Sequence, residues 1–79
     1  MIRIINIRVE GNLIYATVLS NGDINKSFEI VVTISKEEIV SCTSNRNWGM
    51  HEYGARNKLL ELYEENGENM PELAECVWC

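Results

Sequence analysis

Apolar and polar residues alternate with a period of two at the start of the chain. In Ile2 to Glu10, Ile5, Ile7 and Val9 fall on one side and Asn6, Arg8 and Glu10 on the other, as in a strand buried on one face. Gly11-Asn12 follows, and a tight turn there returns the chain as a hairpin through Leu13 to Ser20. Asn21-Gly22-Asp23 marks a second turn, because Asn and Gly adopt positive φ at small cost, and Ser27 to Ile34 reads as a third strand. The β-branched run Ile39-Val40-Ser41-Cys42-Thr43 predicts a short fourth strand, with a helix starting at Lys36 as the rival reading.

The period then changes. From Trp48 to Asn66, Trp48, Ala55, Leu59, Leu62 and Tyr63 fall within one arc of about 100° on a helical projection, with Leu60 and Tyr53 on its flank. Asn57, Glu61, Glu64 and Glu65 lie opposite. The polar run before Trp48 offers Asn47 as the N-cap, while Gly67 and Pro71 stop the helix. The segment Leu73 to Cys79 reads as a returning strand, with Ala74, Cys76 and Trp78 on one side. The expected architecture is α+β: a four- to five-stranded, mainly antiparallel sheet with one α-helix packed on one face, in the order β-β-β-β-α-β. A chain of 79 residues forms one domain, residues 1–79.

Apolar doublets add a second expectation. Ile4-Ile5, Leu13-Ile14, Val18-Leu19, Val31-Val32, Ile39-Val40 and Val77-Trp78 place apolar side chains on both faces of nearly every strand, whereas one helix covers only one face. The uncovered face, with Ile14, Ala16, Val18, Val31 and Thr33 as its candidates, predicts a homodimer through that open sheet face or a sheet edge.

Charge changes the picture at the other end of the chain. The net charge is −5, yet the first fifty residues carry five basic and five acidic side chains, so the whole excess lies from His51 onward. That balance argues against direct nucleic-acid binding, which needs a basic face, and favours a basic protein partner. No run of apolar residues reaches membrane-spanning length and the first residues lack a leader pattern, so the expected location is the cytoplasm, without membrane association.

Chemistry-bearing motifs are sparse. The chain contains no GxGxxG, GxxxxGK[ST] or HExxH pattern. His51 is the single histidine, expected in the first helical turn in a capping or packing role, and no catalytic residue or cofactor is assigned. Three cysteines, an odd number, fit reduced thiols better than a disulfide framework. Cys42, His51, Cys76 and Cys79 are the residue types of a Cys3His zinc site, but residues i and i+3 of a strand point to opposite faces, and buried cysteines packing as small apolar groups are the simpler reading.

The segment carrying Trp48, His51, Tyr53 and Ala55, the stretch LLELYEENGENMPE and the final tryptophan strand resemble short bacterial proteins, chiefly from Firmicutes and their mobile elements. The resemblance implies an N-terminal β-meander, one helix and a C-terminal Trp strand, together with a phage- or plasmid-associated role. It carries no activity. The functional expectation is a non-catalytic protein-interaction module, an inhibitor or adaptor of a larger bacterial protein. Its partner-binding surface would be the acidic side of the helix and the following loop: Tyr53, Leu60, Glu61, Glu64, Glu65 and Glu68. A solvated helix that only confers solubility is the plainer reading of those glutamates. The alternative function is a small-ligand- or zinc-binding module at a dimer crevice, with Trp48, Tyr53 and Trp78 as stacking surface.

Overall fold

Period-two segments separated by Gly and Asn turns form a meander of four strands in the computed structural model, which describes residues 1–44 and 48–76. The strands are β1 (Ile2–Glu10), β2 (Leu13–Ser20), β3 (Ser27–Thr33) and β4 (Glu38–Cys42). A 17-residue helix α1 (Met50–Asn66) follows, and β5 (Leu73–Cys76) returns to the sheet. The strand order is β4-β3-β2-β1-β5, and every pairing is antiparallel. The rival helix from Lys36 is therefore not formed. A 3-10 turn at Ile24–Lys26, which no periodicity announced, links β2 to β3 and is capped by Asp23, whose Oδ1 accepts from Asn25 N at 2.9 Å.

Turn chemistry accounts for the hairpins. Gly11 adopts φ +61, and Asn21 and Gly22 adopt +54 and +74, conformations with little penalty for these two residue types. Asn12 also ties two turns together, because its Nδ2 donates to Ser35 Oγ at 2.8 Å and its Oδ1 accepts from Ser35 N at 3.0 Å.

The alternation in β1 is broken by a β-bulge, which corrects the expected face assignment. Between the pairs Ile5↔Thr17 and Arg8↔Tyr15, the two residues Asn6 and Ile7 stand against Ala16 alone, with Asn6 at φ +54. One extra residue inverts the parity of a strand. Ile2 and Ile4 before the bulge thus share the helix-covered face with Ile7 and Val9 after it, and Ile5 turns to the opposite face. A second shift in β4 pairs Ser41 with Val31 and Ile39 with Val32, leaving Val40 unpaired and exposed.

The core lies between this face and the helix. Ile2, Ile4, Ile14, Val18, Ile30 and Val32 are all but inaccessible, and α1 covers them with Ala55, Leu59 and Leu62. Each fully buried Leu, Ile or Val contributes about 1.5–3 kcal/mol relative to exposure. Ile14, Ala16 and Val18 belong to this covered face, so three of the five residues expected on the open face are not there; Val31 and Thr33 are. The open face is mixed in character. Arg8 stacks over Tyr15 at 4.6 Å, Thr17 Oγ1 donates to Glu29 Oε2 at 2.7 Å, and Arg3 lies 3.7 Å from Glu75.

The helix starts two residues later than expected. Gly49 occupies the N-cap position, and Asn47, the expected cap, lies outside the described residues. Trp48 precedes the helix and is 39% exposed, which removes it from the core arc. In β5, Ala74 and Cys76 share one side as expected, and it is the helix-covered one, while Val77, Trp78 and Cys79 lie outside the described residues. Among the described residues, no helix is long and apolar enough to cross a membrane.

Candidate functional site

Successive turns of a helix stack residues spaced by three, four and seven on one flank. Asn57, Leu60, Glu61 and Glu64 share such a flank of α1, which faces the turn between β3 and β4. Together with Ile34, Glu37 and Tyr63 they line an open groove. Its floor is apolar, because Ile34, Leu60 and Tyr63 are partly buried against the core. Glu37, Glu61 and Glu64 form the rim, and Glu61 lies 3.5 Å from Lys58 Nζ. Glu37 has φ +56, a region that side chains other than those of Gly and Asn adopt at a cost of order 1 kcal/mol. The carboxylate is thus carried at a backbone position that would suit glycine.

Three of the six expected partner-binding residues, Leu60, Glu61 and Glu64, meet at this groove. The other three do not. Tyr53 lies two turns towards the helix N-terminus, about 10 Å from Leu60 along the axis; its ring packs edge-on to Trp48 at 6.5 Å, with the Arg56 guanidinium 5.0 Å from its centroid. Glu65 is exposed on α1 one turn after Glu61 but does not line the groove, and Glu68 is exposed beyond the Gly67 cap. Ile34, Glu37, Asn57 and Tyr63 were missed as site residues. The register of the β3–β4 turn against α1, which brings the first two there, has no signature in local periodicity.

The N-terminal end of α1 holds a second polar cluster. Glu52 is fully buried, the one charged side chain so enclosed among the described residues. Its Oε1 accepts from Gly49 N at 2.8 Å, the reciprocal bond of a capping box, and its Oε2 accepts from Ser44 Oγ at 2.9 Å. Beside it, His51 Nδ1 stands 3.0 Å from Ser20 Oγ, at the buried end of β2. The local signal for Glu52 was available: a glutamate three residues after the capping Gly49. No sequence spacing announced the meeting of Ser20 and His51, which are thirty-one residues apart.

The proposed Cys3His ligand set is not brought together. Cys42 lies on β4 and Cys76 on β5, the two outermost strands, separated by four strand spacings or about 19 Å. His51 is engaged at the end of β2, and Cys79 lies outside the described residues. Among the described residues no group of three potential ligands is placed to hold a metal ion. Cys76 is buried and disulfide-bonded, so the expectation of reduced thiols is corrected at this position.

Neither a protein-family model, nor a curated protein, nor a solved structure matches the chain. The functional reading therefore rests on the geometry above.

Proposed function

We propose that the protein is a non-catalytic interaction module whose groove beside α1 receives a basic segment of a partner protein carrying one large apolar anchor. The observation that carries this reading is the pairing of an apolar floor, Ile34, Leu60 and Tyr63, with three carboxylates on the rim, Glu37, Glu61 and Glu64. An anchor side chain gains by leaving water on that floor, and flanking Lys or Arg residues meet the rim. Complementary charge of this kind gives fast, salt-sensitive association. An adaptor or inhibitor acting on a larger protein fits such a surface, because it needs shape and charge but no reacting group.

The test is selection from a displayed peptide library, followed by NMR mapping of the winning peptides. Enrichment of sequences with Lys or Arg flanking a large apolar residue is expected, with shifts centred on Leu60 and Tyr63. Glu37→Gln, Glu61→Gln and Glu64→Gln combined should abolish binding, and Leu60→Ser should weaken it even at high salt. Peptides that map to the open sheet face, or that bind the triple variant unchanged, would refute this reading.

A further inference from the structure

A separate pocket at the other end of α1 differs in chemistry from the acidic groove. It lies where the end of β2, the start of β3, the segment after β4 and the first helical turn converge. Its lining is Ser20, Asn21, Lys26, Ser27, Phe28, Thr43, Ser44 and His51, around a cavity of about 390 Å³. Four of these eight residues bear hydroxyls, one is a lysine, one a histidine, and none is a carboxylate. In a chain with twelve acidic and seven Lys or Arg residues, that composition runs against the bulk charge.

Three carboxylates adjoin the lining residues in sequence or through a hydrogen bond, and each already accepts from a donor of the chain. Glu29 accepts from Thr17 on the open sheet face, Asp23 caps the 3-10 turn, and Glu52 is enclosed between Ser44 and Gly49. Lys26 makes no ion pair among the described residues. Hydroxyl protons are available. Thr43 Oγ1 accepts from Glu29 N at 2.9 Å, which leaves its own proton to donate. When His51 Nδ1 carries its proton it donates to Ser20 Oγ, and the serine proton is then likewise left for the pocket. Ser44, by contrast, spends its proton on Glu52 and contributes shape alone.

We propose that this pocket binds a phosphate-type oxyanion, with Lys26 as the countercharge and Ser20, Ser27 and Thr43 as donors. Charge-assisted bonds from hydroxyl and ammonium groups are the interactions such an anion forms best. The cavity lies at the lower end of the roughly 300–1,000 Å³ range of small-ligand sites, and Phe28 offers an apolar wall, so a small organic phosphate fits the same chemistry as the free ion.

The experiment is an NMR titration of the folded chain with inorganic phosphate, phenyl phosphate and acetate at constant ionic strength. Saturable shifts are expected at Ser20, Lys26, Ser27 and Thr43 with both phosphates, and weaker ones with acetate. Tighter binding of phenyl phosphate would identify an organic phosphate as the ligand, and equal binding the free ion. Lys26→Gln should weaken phosphate binding about fivefold or more. Thr43→Val should do the same, and Thr43→Ser, which keeps the donor, should restore it. Leu60→Ser in the acidic groove should leave it unchanged, which separates this site from the peptide groove. Shifts that stay linear with concentration, or that persist in Lys26→Gln and Thr43→Val, would overturn the proposal.

Discussion

The two faces of the sheet are built from the same strands, yet they differ in kind. On the covered face, Ile4, Ile14, Val18, Ile30 and Val32 meet Leu59 of the helix with almost no exposure. On the open face, apolar side chains are interleaved with polar partners: Tyr15 under Arg8, Thr17 with Glu29, and Arg3 near Glu75. The difference shows that apolar doublets do not by themselves make a second hydrophobic face. One of them, Ile39-Val40, coincides with a bulge, where Val40 is the unpaired residue, and in Ile4-Ile5, just before the bulge of β1, Ile5 turns to the open face by ordinary alternation.

The largest expected effect tests this contrast directly. Leu59→Ala should destabilise the fold by about 2–5 kcal/mol, since it opens a cavity in the covered face, whereas Val31→Ala on the open face should cost under about 1 kcal/mol. Urea denaturation of both variants measures the gap, and equal losses would remove the distinction. Next comes the charge enclosed on the helix side. Glu52→Ala should cost about 1–3 kcal/mol, because it removes the capping-box acceptor and leaves buried donors unsatisfied. Glu52→Gln, which keeps one acceptor oxygen, should lose less, and thermal unfolding ranks the pair.

A smaller effect has the opposite sign. Glu37→Gly should stabilise the protein by up to about 1 kcal/mol by relieving the positive φ, while weakening any basic peptide held in the groove. Stability and binding would then move in opposite directions at one residue, and unfolding and titration of the same sample would show it. The smallest effect concerns self-association. A homodimer through the open face now rests on Val31 and Thr33 of its original five residues, and Val31→Asp should shift such a dimer towards the 9.1 kDa species in sedimentation velocity. A wild-type chain that already sediments as that species at tens of micromolar would remove the open face as a self-interface.

Much of the fold was legible because its signals are local. The period-two strands, the Asn and Gly turns, the stop at Gly67 and the helix stripe Ala55, Leu59 and Leu62 each depend on residues a few positions apart. The phase of β1 was misread, although it was written in the sequence: Ile2 and Ile4 occupy even positions, Ile7 and Val9 odd ones, and Asn6 at the slip is a residue that tolerates positive φ. The sites were less legible. Leu60, Glu61 and Glu64 followed from the helical projection, but Glu37 joins them only through the packing of a turn against the helix. Ser20 and His51 meet only because the end of β2 and the start of α1 share one end of the sheet. Juxtapositions of that kind depend on tertiary register, which periodicity does not encode.

The place of β5 also sets an order in time. The meander joins neighbours in sequence, so its hairpins close short loops, but the pairing of Ile2 with Cys76 must gather nearly the whole chain before any bond forms. From loop-closure entropy and the slow formation of non-local contacts, that step is expected last in folding and first in opening. β5 would then act as a latch on β1. Amide exchange should be faster at Ala74 than at Ile14 or Val18 in the middle of the sheet, and opening of this latch would uncover the β1 edge while the meander and helix remain folded.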